Sequence, residues 1–110
     1  MITLESQSID RVMDALGHQT RREILALLQK GPMPVGEIAD HLPISRPAVS
    51  KHLRTLEDAS LVEYESRGTR NIFRLNPNGF QTARVYVEAF WDRALANFQR
   101  VAEGQVESKS

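Results

Sequence analysis

The sequence predicts a mainly α domain with one small β-hairpin, and two observations point to it. Apolar residues recur every three or four positions over most of the 110 residues, which is the spacing of amphipathic helices. The stretch from Leu61 to Leu75 departs from this spacing, because it is rich in β-branched and aromatic residues and is centred on Gly68. No cysteine is present, which excludes disulfides and thiolate metal ligands.

The composition indicates one ordinary globular domain. The chain has 14 basic and 14 acidic side chains, a formal net charge of zero and 41% apolar residues. It contains neither an apolar run long enough to span a membrane nor the pattern of a secretion signal, so we expect no membrane partner and a cytoplasmic protein. We predict a single domain over residues 1–102 and a disordered polar tail over residues 103–110.

Two helices are predicted at the start of the chain. The first runs from about Ser8 to Leu16 and the second over about residues 19–30, capped by either His18 or Thr20. Arg21 and Arg22 open the second helix, and we predict that they are solvated or paired with acids such as Asp14; the alternative is that one of them contacts a phosphate.

A helix-turn-helix is predicted next. A short third helix over about residues 35–42 is followed by the three-residue turn PIS and a fourth helix that ends near Ala59. Ser45 is a favourable N-cap for the fourth helix, and Pro47 is tolerated in its first turn. Its apolar residues, Val49, Leu53 and Leu56, define the face that packs inward.

The segments LVEYES and NIFRL are predicted to be the two strands of a hairpin around RGTR. Asn76 to Gly79 are interpreted as turn residues and a helix start, and the last helix covers about residues 79–102. A helix-turn-helix followed by a hairpin is a winged helix-turn-helix: a three-helix core, a wing and a long C-terminal dimerisation helix.

The fourth helix has the side chains that reading double-stranded DNA requires. Arginine forms paired hydrogen bonds with guanine, serine bonds several base edges and lysine attracts phosphate. The opposing interpretation is an ordinary solvated basic helix. We predict DNA contacts by the fourth helix and the wing, at Ser45, Arg46, Pro47, Ser50, Lys51, His52, Arg54, Arg67, Thr69 and Arg70.

Apolar residues on the last helix repeat with a period close to 3.5, which is typical of a helix that faces another helix. Together with the stripe on the first helix they predict a two-fold symmetric dimer, which would place two fourth helices about 34 Å apart on one DNA face. The predicted interface residues are Ile9, Val12, Met13, Leu16, Val87, Phe90, Trp91, Ala94 and Phe98.

The segments LGHQTRREILALL and AVSKHLRTLEDASLV resemble the ArsR-type family of bacterial winged-helix repressors, and the resemblance continues through RGTRNIFRLNP. It implies a homodimer that binds a pseudo-palindromic operator, often upstream of its own gene, and leaves it on a signal; the inducing ligand or partner is unknown. Ser60 stands where the family usually has glycine, and we expect strain in that turn.

The resemblance points to the branch of the family that does not sense metal. Metal-sensing members carry cysteine on the third helix, where this chain reads VGEIADHL, or histidines on the last helix, where this chain has none. We therefore expect no metal, no cofactor and no enzymatic activity. Two alternatives stay open: a winged-helix protein-interaction module without DNA binding, and a metal-responsive repressor that uses His41, His52 and carboxylates.

Overall fold

The computed structural model describes residues 4–104, with side chains from Ser8 onward. Its elements follow the order of a winged helix-turn-helix, which confirms the predicted fold class. They are α1 (Leu4–Leu16), α2 (Gln19–Leu28), β1 (Met33–Pro34), α3 (Val35–Asp40), α4 (Arg46–Asp58), β2 (Val62–Arg67), β3 (Arg70–Leu75) and α5 (Pro77–Ala102). The predicted tail falls mostly on residues 105–110, outside the described residues.

One hydrophobic core joins the first four helices to the sheet. Its most fully buried large side chains come from α1, α2, α3, α4 and the start of β2: Val12, Ile24, Ile38, Val49, Leu53, Leu56, Leu61 and Val62. From α5 only the first two turns reach this core, through Phe80 and Ala83. The rest of α5 therefore extends away from the body of the domain.

The sheet has three strands rather than the predicted two. β1 pairs antiparallel with β3 through Met33 opposite Phe73 and Pro34 opposite Ile72, so the order is β1-β3-β2. The prediction was wrong because β1 is only two residues long, and two residues show no period-two alternation.

Four helix limits also differ from prediction by two residues or more. α1 begins at residue 4 rather than 8, α2 ends at residue 28 rather than 30, α3 ends at residue 40 rather than 42, and α5 begins at residue 77 rather than 79. The connection between α3 and α4 is therefore five residues long, not three. After Asp40 the backbone forms tighter i→i+3 bonds, His41 N to Ile38 O (3.1 Å) and Leu42 N to Ala39 O (3.2 Å), as the chain approaches Pro43.

The turn between α4 and β2 fixes the start of α5. Ser60 adopts a left-handed conformation with φ of 59°, which is unfavourable for a residue with a Cβ and agrees with the strain expected in this turn. Gly79 lies inside α5, not in the turn before it, and its N–H donates to Ser60 O at 2.7 Å. A Cβ on Gly79 would lie 2.6 Å from Ala59 O, so only glycine allows this close approach.

Within the described chain, no helix combines the length and the apolar character that crossing a membrane requires.

Candidate nucleic-acid interface

The start of α4 is fixed by its first residues. Ser45 is the N-cap, as predicted, and its Oγ accepts a hydrogen bond from the backbone N–H of Ala48 at 3.2 Å. Pro47 lies in the first helical turn, where the missing N–H leaves no bond unmade. Val49, Leu53 and Leu56 are buried, which fixes the rotation of α4 about its axis.

The opposite side of α4 forms an exposed basic surface that we call the reading face: Arg46, Pro47, Ser50, Lys51 and Arg54. All five side chains are exposed, and within residues 4–104 none of the three cations forms an ion pair. A surface with unpaired cations and no acid attracts a polyanion without first breaking internal bonds.

The wing presents its arginines differently. Gly68 has φ of 63° and starts the two-residue loop, so Arg67 and Arg70 lie opposite each other at the end of the hairpin. Arg67 Nε donates to Glu65 at 3.2 Å, whereas Arg70 is exposed and has no ion pair among the described residues. The hydrogen bond from Arg67 lowers the pKa of the Glu65 carboxyl, so this pair is ionised at neutral pH.

A second arginine of the wing is also paired. Arg74 donates to Glu63 at 3.0 Å and to Glu65 at 3.4 Å across the two strands. The wing therefore carries acidic side chains that engage two of its three arginines.

A cleft of about 380 Å³ separates the wing from α4 and brings four of the predicted DNA contacts together. Arg46 and Ser50 line it from α4, and Thr69 and Arg70 line it from the wing. Lys51, Arg54 and Arg67 lie outside this lining, so the cleft and the outer part of the reading face are two adjoining surfaces.

Five residues that line this cleft were not among the predicted DNA contacts: Pro34, Val35, Gly36, Glu37 and Asn71. The guanidinium of Arg46 lies against Gly36, where a Cβ would come within 3.5 Å of Nη1, and Glu37 adds a carboxylate to the lining. Gly36 and Glu37 belong to α3, and no local motif marks which α3 residues face the wing.

His52 lies on the flank of α4, not on the reading face. It is half-buried, its ring centroid lies 4.7 Å from that of His18, and its Nδ1 lies 3.5 Å from Nη1 of Arg21. His18 is also the N-cap of α2, which decides between the two predicted caps.

The prediction for Arg21 and Arg22 was wrong about their partners. Arg21 donates to the backbone oxygens of Ala15 (2.9 Å) and Asp14 (3.1 Å), and Arg22 donates to that of Leu16 (2.7 Å). They bond carbonyl groups at the C-terminus of α1 rather than the carboxylate of Asp14.

The predicted dimer residues divide into two groups. Val12 is 2% exposed and Leu16 packs against the core, so both are used within their own chain; Ile9 is half-buried and Met13 is exposed. On α5, Ala94 is half-buried, while a row of large apolar side chains is exposed: Val87, Phe90, Trp91 and Phe98 from the prediction, and Leu95 and Val101 in addition. Val85 and Tyr86 are exposed on other sides of the helix.

Among the residues that the structure describes, no three His, Asp or Glu side chains are grouped so as to hold a metal ion.

Comparisons with known proteins agree with this geometry. The sequence profile of the family described as "Bacterial regulatory protein, arsR family" matches residues 18–64, from the N-cap of α2 into β2. The HTH-type transcriptional regulator Rv2034 of Mycobacterium tuberculosis is 42% identical over 99 residues, covering 90% of this chain and 92% of the relative. The transcriptional repressor SdpR of Bacillus subtilis is 37% identical over 73 residues, covering 66% of this chain and 81% of the relative.

A solved structure shows the same fold. The homodimeric winged helix-turn-helix DNA-binding domain of Mb0332 from Mycobacterium bovis superimposes with a TM-score of 0.63 at 26% identity. The match covers 94% of this chain and 89% of that one, so it includes α5 as well as the three-helix core and the wing.

Proposed function

The chain belongs to the ArsR family of bacterial regulatory proteins, and we propose that it is a homodimeric, sequence-specific DNA-binding transcriptional repressor of the branch that does not sense metal. Its partner is double-stranded DNA with a pseudo-palindromic operator, which can lie upstream of its own gene, and it acts in the cytoplasm. Binding and release of DNA account for this function without a catalytic site.

The proposal that this chain binds DNA rests on the reading face. Arg46, Lys51 and Arg54 are exposed and have no ion pair within the described chain, on a helix whose rotation the core fixes. A helix of this kind enters the major groove, where Arg54 and Arg46 read base edges while Lys51 contacts phosphate. Ser50 adds a donor and an acceptor between them.

The cleft supports a second contact beside the major groove. Arg70 and Thr69 of the wing face Arg46 and Ser50 across a gap of about 380 Å³. A DNA backbone seated there places a phosphate against Arg70, beside the groove that Arg46 reads. His52 lies on the flank of α4 against Arg21 and His18, so it is left out of the proposed DNA contacts.

A second copy of this chain is the proposed occupant of the apolar row on α5. Phe98 is 64% exposed and Phe90 53% exposed, which is costly for large apolar side chains in water. The similar domain of Mb0332 is a homodimer and the likeness extends over α5, so we assign Val87, Phe90, Trp91, Ala94 and Phe98, with Ile9 and Met13, to a two-fold interface.

Selection from a pool of random DNA duplexes tests the DNA-binding part. We expect an inverted repeat whose half-site centres are about 10–10.5 base pairs apart, since each copy presents one α4 to the same DNA face. Recovery of no preferred sequence would contradict the proposal. Retention of an acidic protein partner by the reading face would then favour the protein-interaction alternative.

Sedimentation equilibrium tests the dimer. We expect Phe98→Asp to give monomers, because it places a charge in the apolar row. Val85→Asp is the matched control: Val85 is 56% exposed, but it precedes Val87 by two residues and so lies about 200° around the helix from it. A Phe98→Asp protein that remains dimeric would contradict the assigned interface.

A further inference from the structure

Arg21 connects the C-terminus of α1 to the flank of α4. Its Nε donates to Ala15 O at 2.9 Å and its Nη2 donates to Asp14 O at 3.1 Å. Its Nη1 lies 3.5 Å from Nδ1 of His52. One planar guanidinium therefore contacts both the helix assigned to the dimer interface and the helix that carries the reading face.

The contact requires a neutral His52. A guanidinium has donors only, so the Nδ1 of His52 can bond Arg21 only as an acceptor, without a proton. His18 lies beside this contact and caps α2, because its Nδ1 accepts the backbone N–H of Thr20 at 3.2 Å. The two rings lie against each other, with centroids 4.7 Å apart.

The surroundings of His52 disfavour its protonated, positively charged form. Partial burial lowers the pKa of His52 below its ordinary value of 6.5, and the nearby charges lower it further, in the order His18, Arg21 and Lys51. These three groups come from the segment before α2, from α2 and from α4 itself, and no carboxylate of the described residues is among the causes. Protonation of His52 would replace an acceptor with a donor that faces a cation.

We propose that Arg21 is a positioning residue that holds α4 against the end of α1 through neutral His52, and that protonation of His52 loosens this joint and weakens operator binding. This inference rests on the proposed function, and it adds a proton-sensitive connection between the dimer helix and the reading helix. Relative placement of two reading helices decides whether both fit one DNA face, so a looser joint lowers affinity.

The direction of the pH effect follows from the linkage between protonation of His52 and folding. A histidine whose pKa is lower in the folded state stabilises the fold above its unfolded pKa of about 6.5. That contribution is lost as the pH falls through the lower, folded value. The effect is therefore expected below about pH 6.5 and is absent at pH 7.5.

The test compares His52→Asn with wild type between pH 7.5 and 5.5. Asn Oδ1 occupies the place of Nδ1 and accepts from Arg21, but it does not titrate in this range. We expect the wild-type affinity for the selected operator to fall about three- to tenfold more than that of His52→Asn, because protonation removes the hydrogen bond to Arg21 in wild type alone. His41→Asn is the matched control, because His41 is exposed and bonds Glu37 O on α3, outside the joint; it should behave as wild type. Equal pH profiles for wild type and His52→Asn would overturn the inference.

Urea unfolding without DNA separates this inference from the proposed function. We expect the urea midpoint of wild type and of His41→Asn to fall more between pH 7.5 and 5.5 than that of His52→Asn. If no operator is found, the proposed function fails while this measurement still decides whether the joint is proton-sensitive. A midpoint that changes equally in all three proteins would show that it is not.

Discussion

The reading face and the wing both present arginines to the proposed DNA, but they differ in whether those arginines are already bound. Arg46, Lys51 and Arg54 on α4 have no ion pair within the described residues. On the wing, Glu65 holds Arg67 at 3.2 Å, and Glu63 with Glu65 holds Arg74. The count of basic residues is therefore a poor measure of the charge available to a partner.

Because of this difference in available charge, we expect the reading face and the wing to contribute differently to DNA binding. Exposed ion pairs contribute only about 0–1 kcal/mol each, so DNA phosphates can displace the glutamates of the wing. Breaking these ion pairs nevertheless costs free energy, which reduces the net contribution of the wing arginines to DNA affinity. We expect α4 to supply most of the sequence preference and Arg70 to supply most of the net attraction of the wing.

The largest expected effect is at Arg54. Arg54→Ala should weaken operator binding by about 1–3 kcal/mol, roughly five- to 150-fold, because a paired bond to a base is lost. Fluorescence anisotropy with a labelled operator measures this loss. Arg54→Lys is the control: it keeps the charge but cannot make the paired bond, so it should lose sequence preference while keeping the salt dependence. Unchanged affinity in Arg54→Ala would remove Arg54 from the interface.

The two arginines at the tip of the wing provide the next test. Arg70→Ala should reduce the slope of log affinity against log salt by about one, because one phosphate contact is lost. Arg67→Ala should reduce it by less, since Glu65 already offsets that charge. The measurement is an operator titration from low to moderate salt. A larger change for Arg67→Ala would reverse the proposed ranking of the two residues.

Removing the carboxylate of Glu65 from the wing should strengthen operator binding rather than weaken it. Glu65→Gln frees Arg67 and one contact of Arg74, so we expect binding to tighten by about 0.2–1 kcal/mol, the range of an exposed pair. Glu88→Gln is the matched control, because it breaks a similar exposed pair with Arg84 on α5, remote from the reading face. Equal effects of the two variants on affinity would mean that the wing acids do not limit DNA binding.

The smallest effect is at the turn that joins the two surfaces. Ser60 has φ of 59° between α4 and β2, and glycine adopts this conformation without the Cβ penalty. Ser60→Gly should raise the free energy of unfolding by roughly 0.5–1 kcal/mol in a urea titration, after the extra flexibility of glycine in the unfolded chain is subtracted. Operator affinity should not change. A loss of stability would show that the Ser60 side chain stabilises the turn more than its backbone strains it.

Local patterns in the sequence predicted the features that depend on local chemistry. Ser45 as N-cap, the inward side of α4 and the glycine-started hairpin all follow from residues within one or two turns of each other. The family resemblance gave the expectation of strain at Ser60, and this residue has a left-handed conformation with φ of 59°.

Features that depend on distant segments were not predicted. β1 pairs with a strand about forty residues away, and Arg21 bonds carbonyl groups at the end of the preceding helix. Likewise, charge spacing along the hairpin does not reveal that Arg74 reaches two glutamates across the strands, because that depends on register. The positions of Gly36 and Glu37 in the cleft also depend on distant segments and were not predicted.

The central claim is that two copies of this chain place two reading faces on one DNA duplex. Sedimentation velocity of a labelled duplex carrying the selected site, titrated with wild type and with the Arg46→Ala/Arg54→Ala double variant, tests it most directly. We predict two chains per duplex at saturation for wild type, and no specific complex for the double variant although it remains a dimer. A complex with one chain per duplex, or undiminished binding by the double variant, would contradict the claim.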